Sequence, residues 1–407
     1  MAHSHDTIGE EYIQSGFQVD KLLKAVKGED LIIVDNYFGP PEYQSTNDPI
    51  DGDDLRKALQ ALQRKVRNQI KEEPRRTFLR KQLAAMDLLV RFALDEKISF
   101  RERVETGLDV KVVSVSSERI DELTEVVTRA LSKKVLKGDL TSMATTWRKQ
   151  AMTTGAEIIP LAEELADQAR QETQRLLFDL PDSEGLEFRA VPDAPWSAYN
   201  YYQGEFRSLI EINIKLPRSK YDVWGWVTHE TYPGHHTQLL QQELGYQRGA
   251  LHLEACIAII NTPECTIAEG LAETGIDLLA ANRPLTASET IAYQLKELRR
   301  AVGINALVML HEKQSSESEV VSYIQEMGAF DEVYAKARLP FMTDPMWAPY
   351  GFTYFIGAWL VKGFFHAAQE AHQVDEFLNA LYHELHTPTT LKSRLHALNL
   401  KLPKRLI

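Results

Sequence analysis

The sequence has only 2 cysteines in 407 residues, Cys256 and Cys265. Two are too few for a disulfide framework, and the eight residues between them do not suit a zinc knuckle. Both read as buried thiols, and a reducing cytoplasm is the expected compartment. No run of 18 or more apolar residues occurs, so no helix is expected to cross a membrane. The N-terminal Met1-Ala-His-Ser-His-Asp-Thr-Ile-Gly-Glu-Glu lacks the apolar centre of a signal peptide. Positive charge is in deficit: 46 Lys and Arg stand against 58 Asp and Glu, a net charge of −12. That balance argues against nucleic acid or an anionic membrane as the main partner. The helical zinc signature His-Glu-x-x-His is absent too.

What is present is mostly helical periodicity. Hydrophobic residues at 44% and charged residues at 26% are ordinary for a soluble globular chain. From Asp54 to Lys97, Leu55, Leu59, Leu62 and Val66 make one apolar stripe. Beyond Pro74, Leu79, Leu83, Met86, Leu89 and Val90 make another. Ser117–Lys137 reads as a helix, and Leu140–Leu180 as a helical pair interrupted at Pro160. Residues 181–205 are rich in proline and aromatics and read as a connecting or cleft-lining loop. Asp109–Val115 has some β character. Ile210–Leu216 alternates apolar and polar residues strictly and is the clearest strand, with Glu211, Asn213 and Lys215 on its polar face. Ser219-x-x-Asp222 and Thr262-Pro263-Glu264 mark two later helix starts. The expected fold is mainly α with a small β-sheet beside a cleft. Residues 1–190 form a helical N-terminal part and residues 191–407 a catalytic part, unless the two make one continuous domain.

The densest chemistry lies in Val227–Gln238, where His229, His235 and His236 fall within eight residues beside Glu230. In an unbroken helix, i+6 is on the wrong face and i+7 is about 10 Å away. Ligand bonds to zinc are only about 2 Å long. A shared metal therefore requires a broken or bulged helix, and Pro233-Gly234 sits where a break can occur. A later helix carries Glu269, Glu273 and Asp277 at i, i+4 and i+8, drifting around one side. Zinc hydrolases need these parts: histidines and a base on one helix, a carboxylate on a second, and a strand edge for an extended peptide. Two imidazoles and a carboxylate leave Zn²⁺ an open position for water, and an adjacent glutamate can take its proton. His252, His311 and His366 read as ordinary helix residues.

His229-Glu-x-Tyr-Pro-Gly-His-His236, Glu269-Gly-x-Ala and Tyr354-Phe-Ile-Gly357 together resemble the bacterial DUF885 family of inferred zinc peptidases. The likeness spans about residues 199 to 362, with Leu271 where that family usually has tryptophan. It implies a zincin-like helical metallopeptidase with one Zn²⁺ held by His229, His235 and Glu269, and with Glu230 as general base. His236 is the alternate ligand, and otherwise supports a ligand or meets substrate. Glu273 is expected to orient a ligand imidazole. Tyr354 is the candidate donor to the oxyanion, with Tyr350 as its alternate. Arg207, Arg218 and Arg338 are candidates to read a terminal carboxylate. The expected substrate is a short peptide or small amide. The competing readings are a metal-dependent amidase acting on a non-peptide substrate and a non-catalytic helical binding protein with a structural metal.

Overall fold

Apolar residues three and four apart govern most of the chain, and the fold is mainly helical with small sheets. The structure, a computed structural model, describes residues 6–44, 50–194, 196–215, 217–281 and 283–402. Leu55, Leu59, Leu62 and Val66 are the buried side of helix Gly52–Gln69, whose start Asp51 caps by accepting from the N–H groups of Asp53 and Asp54. Helix Glu73–Ala93 buries Leu79, Leu83, Met86, Leu89 and Val90 in the same cluster, which also takes Ile257, Ile259 and Tyr350 from far downstream. A second cluster joins Val127, Leu131 and Trp147 to Leu298, Ile304 and Phe352. The stretches before and after residue 190 thus share cores.

Several local expectations differ from the structure. Residues 181–205 hold two strands, Gly185–Val191 and Ala198–Gly204. The strand read over Ile210–Leu216 runs Arg207–Asn213, and Leu216 lies outside the described residues. It is the central strand, parallel to Gly185–Val191 and antiparallel to Ala198–Gly204. Both of its edges are already paired, so it has no free edge for an extended peptide. Asn213 is buried rather than on an open face, and its amide donates to the carbonyl of Ala194 at 2.7 Å. Ile210 and Ile212 pack with Ile158, Val223 and Val227, which fixes the sheet against two helices. Asp109–Val115 forms no strand; the N–H of Val115 donates to the Asn305 side chain instead of a ladder. The break expected at Pro160 falls earlier, between helices Leu140–Lys149 and Gly155–Leu176, because Thr154 and Glu157 form a capping box there.

The helix Pro263–Ala280 runs through the centre and is buried along most of its length. Cys265 belongs to the first cluster, Ile267, Leu271 and Leu278 to a third with Phe364 and Phe377, and Leu279 to the sheet cluster. Its neighbours come closer than side chains allow. A Cβ on Gly275 would lie 2.7 Å from the carbonyl oxygen of Thr228, and one on Gly270 would lie 2.4 Å from that of Gly357. Gly357 ends the wide π-turn Thr353–Gly357, and a Cβ on it would lie 2.2 Å from the carbonyl oxygen of Thr266. Gly357→Ala should therefore destabilise the protein by about 2 kcal/mol or more, the usual scale for overpacking. Gly225→Ala, with nothing within 4 Å of its added carbon, should cost nothing. Urea unfolding of the two variants checks this, and equal midpoints would show that the close approach is not needed.

Candidate metal centre

The helix Lys220–Glu230 opens with the capping box read from Ser219 and Asp222: Asp222 N–H donates to Ser219 Oγ at 3.2 Å, and Ser219 N–H donates to Asp222 Oδ2 at 3.1 Å. It stops at Glu230, and a new helix, His235–Gln247, starts five residues on. Gly234 closes the turn so tightly that a Cβ would lie 1.8 Å from the carbonyl oxygen of His229, so no other residue fits. The spacing puzzle is thereby resolved by two helices rather than one bulged one. His229 lies in the last turn of the first helix and His235 begins the second, with ring centroids 4.7 Å apart.

The third member comes from the central helix. Glu269 Oε2 lies 3.2 Å from His229 Nε2 and 3.8 Å from His235 Nε2. One donor atom from each residue lies within 4.8 Å of the other two. Behind them, Glu273 Oε1 lies 3.4 Å from His229 Nδ1, while Glu273 Oε2 pairs with Lys296 at 2.7 Å and with Arg300. Tyr350 donates its hydroxyl to Glu269 Oε1 at 2.7 Å, so it supports a ligand rather than awaiting an oxyanion. The Tyr354 ring lies 6.4 Å from that of His229, and among the described residues its hydroxyl has no hydrogen-bond partner.

His236 faces elsewhere. Its Nδ1 shares a hydrogen bond with Ser208 Oγ at 2.8 Å and its Nε2 lies 3.1 Å from Glu184 Oε2. Glu184 also receives the Tyr232 hydroxyl and Arg170. The connectivity is that of a serine–histidine–acid relay. Yet Ser208 is 1% and His236 0% exposed, so no substrate reaches it. The group ties the sheet to the second histidine helix. The alternate ligand role of His236 therefore has no geometric support.

Charge around the centre is lopsided. Burial pushes the Glu230 carboxyl up to about 7; Glu269, Asp35 and Glu273 add to the shift and His229 opposes it. Burial works against a charged His229, yet Glu230, Glu269 and Glu273 hold its imidazole up at about 10. Burial holds His235 down at about 4. Asp35, from strand Val34–Tyr37, is a member that sequence reasoning missed; it accepts the Tyr199 hydroxyl, and burial raises its carboxyl to about 6. Its one signal was a carboxylate directly after the apolar run Leu31–Val34.

These residues fit one divalent ion. Of the three carboxylates spaced along the central helix, Asp277 has Lys362 at 3.1 Å and Glu273 has Lys296 and Arg300, but Glu269 has no Lys or Arg among the described residues. Glu269 Oε2 is buried without a hydrogen-bond partner and faces two ring nitrogens. Tetrahedral coordination with bonds of about 2 Å spaces donor atoms about 3.3 Å apart, close to the 3.2 and 3.8 Å found. Two imidazoles and a carboxylate suit zinc, and also manganese or cobalt.

No family model matches the chain, and no curated protein matches it. The fold is similar to that of a solved structure described as "the putative lipoprotein from Colwellia psychrerythraea", with a TM-score of 0.61 and 14% identity over 94% of this chain and 69% of that one. It is also similar to "a putative lipoprotein of unknown function from Shewanella oneidensis", with a TM-score of 0.55 and 11% identity over 86% of this chain and 73% of that one. At such identity the likeness carries the fold alone. The assignment to the DUF885 family is accordingly corrected: one longer motif and two short ones suggested it, and no family model upholds it. The cytoplasmic expectation is withdrawn as well, because both neighbours are called lipoproteins. Neither neighbour is described as a peptidase, so any activity has to be argued from the site itself.

The two adjacent histidines should separate in a stability measurement. His236→Ala leaves Glu184 and Ser208 without their buried partner and should cost about 3 kcal/mol. His235→Ala removes no protein–protein hydrogen bond of that kind and should cost less than about 1 kcal/mol. Urea unfolding in the presence of a chelator checks the order, and a reversed order would contradict the division between them.

Proposed function

We propose that the protein is a metal-dependent hydrolase of peptide or small amide bonds, zincin-like in arrangement, with one zinc ion held by His229, His235 and Glu269. The observation that carries this reading is the Glu269 carboxylate, buried, without a Lys or Arg among the described residues, and aimed at two imidazole nitrogens. A bound zinc ion supplies Lewis acidity and makes water acidic enough to deprotonate near neutral pH.

The chain's own residues do the rest. Glu230 directly follows the first histidine and is buried against the centre, so it takes the proton of the attacking water and returns it to the leaving amine. Its backbone is held by the Asn200 side chain, which donates to the Glu230 carbonyl at 2.6 Å. Glu273, 3.4 Å from His229 Nδ1, would orient that imidazole so that Nε2 turns toward a bound ion. Tyr350 occupies one oxygen of Glu269 and keeps the other free. The Tyr354 hydroxyl, without a hydrogen-bond partner among the described residues, donates to the carbonyl oxygen as charge develops on it.

Purified protein should carry close to one equivalent of zinc by elemental analysis. His235→Ala and Glu269→Gln should lose it, and a carefully prepared sample with none would count strongly against the centre. Glu230→Gln should keep the metal while turnover falls by at least about 100-fold, the usual scale for a general base. A peptide-library digest read by mass spectrometry, with and without chelator, supplies the substrate for that assay. Undiminished turnover in Glu230→Gln would remove the glutamate from the chemistry.

A further inference from the structure

A cavity of about 560 Å³ adjoins the centre, and Glu273 and Tyr354 belong to the surroundings of both. Its charge is one-sided. Arg148, Arg218, Lys296, Arg299, Arg300 and Arg338 line it against three carboxylates, each already paired: Asp222 lies 3.1 Å from Arg148, Glu273 pairs with Lys296 and Arg300, and Glu289 pairs with Arg283 at 2.9 Å. Arg299 donates to the carbonyls of Gly328 and Ala329 at 3.2 and 3.0 Å, which positions it without neutralising it. Arg218 lies over the Trp226 ring, and its Nε is buried without an acceptor. Arg338 is exposed at the cavity and has no ion pair among the described residues. Arg299 and Arg338 both lie over the Phe330 ring, at 4.1 and 5.0 Å.

Guanidinium groups gathered this way repel one another. Burial first, and then Arg148 and Arg338 against the opposing pull of Asp222, bring Arg299 down to about 9. A cluster with more cations than carboxylates and an unfilled donor is matched by an anion entering it. The planar fork of arginine fits a carboxylate through paired N–H donors. The wall also carries apolar and aromatic side chains, with Trp147 stacked on Tyr221 and with Leu295, Ile304 and Phe341. The ligand is therefore an organic acid with an apolar body rather than a bare ion. Of the three arginines that the sequence offered for this task, Arg218 and Arg338 line the cavity. Arg207 is exposed on the sheet beside Gly185 and does not.

We propose that this cavity binds a carboxylate of the substrate through Arg218, Arg299 and Arg338, making the substrates acidic peptides or acidic amides. The word substrate rests on the hydrolase reading above; the binding of an acid does not. The carboxylate has two sources, the C-terminus of a peptide or an Asp or Glu side chain.

Titration calorimetry on the zinc-loaded Glu230→Gln protein tests this with two pairs of acetylated tripeptides. One pair differs in a free or amidated C-terminus, and the other, amidated throughout, carries Glu or Gln in the middle. At least one acid should bind about tenfold or more tightly than its neutral partner, the scale of one charge-assisted hydrogen bond. The pair that shows the difference identifies the source. Arg338→Gln, at an exposed position with no structural bond to lose, should abolish that preference, as should Arg218→Gln, while Arg207→Gln should keep it. Equal binding of acid and neutral partner in both pairs, no binding at all, or a preference that survives Arg338→Gln would overturn the proposal. Arginine-dependent acid binding by a protein that hydrolyses nothing would keep the pocket and remove the hydrolase. Hydrolysis without acid preference would do the reverse.

Discussion

A charge buried without a partner costs several kcal/mol, and the central helix carries four carboxylates into the interior. The fold answers each of them differently. Glu264 is answered by a proton: burial pushes its carboxyl up to about 8, beside the amides of Gln82 and Gln242. Asp277 is answered by Lys362 and the Tyr293 hydroxyl. Glu273 is answered by Lys296 and Arg300. Glu269, its carboxyl held low and so charged, is met among the described residues by no Lys or Arg, only by Tyr350 and two imidazoles. The helices around Pro263–Ala280 supply these partners, so the electrostatics of one helix dictates what its neighbours must carry.

Those neighbours also have to come close. Glycine on the central helix and on the π-turn removes the side chains that would hold the backbones apart, and the carbonyls of Thr228 and Gly357 fill the space. Close packing of this kind leaves few alternative arrangements, which is the condition for holding a set of ligand atoms near one geometry. The same network extends outward. Lys296 and Arg300 neutralise Glu273 behind His229 and also line the arginine-rich cavity, so the centre and the cavity share one charged wall.

Much of this was legible in the sequence, for identifiable reasons. The stripes at Leu55–Val66 and Leu79–Val90 are buried because a 3.6-residue period leaves an amphipathic helix few other options. His229, Glu230 and Glu269 stood out because chemistry was concentrated in short words. The strands Gly185–Val191 and Ala198–Gly204 were hidden by proline and aromatic punctuation that looks like a loop until a partner strand is in place. Asp35 was invisible because its role depends on Tyr199 and on a strand pairing with Ile257–Ile259. Family and compartment were misread for another reason: short motifs and a low cysteine count do not report overall ancestry or location.

The adjacent pair His235–His236 shows how the helix break makes a site. Neighbouring residues on a helix point about 100° apart, so both cannot face one ion. A helix that began one residue earlier or later would exchange their directions. Here His236 is locked between Ser208 on the central strand and Glu184 just before its parallel neighbour. That lock fixes the rotation of helix His235–Gln247 about its axis, and the rotation fixes where His235 points. The buried histidine contributes no donor to the centre, yet it determines that its neighbour does. The Pro233-Gly234 turn is what allows this. It ends one helix at Glu230 and lets the next start with its own phase, so that His229 and His235 converge from two directions on Glu269.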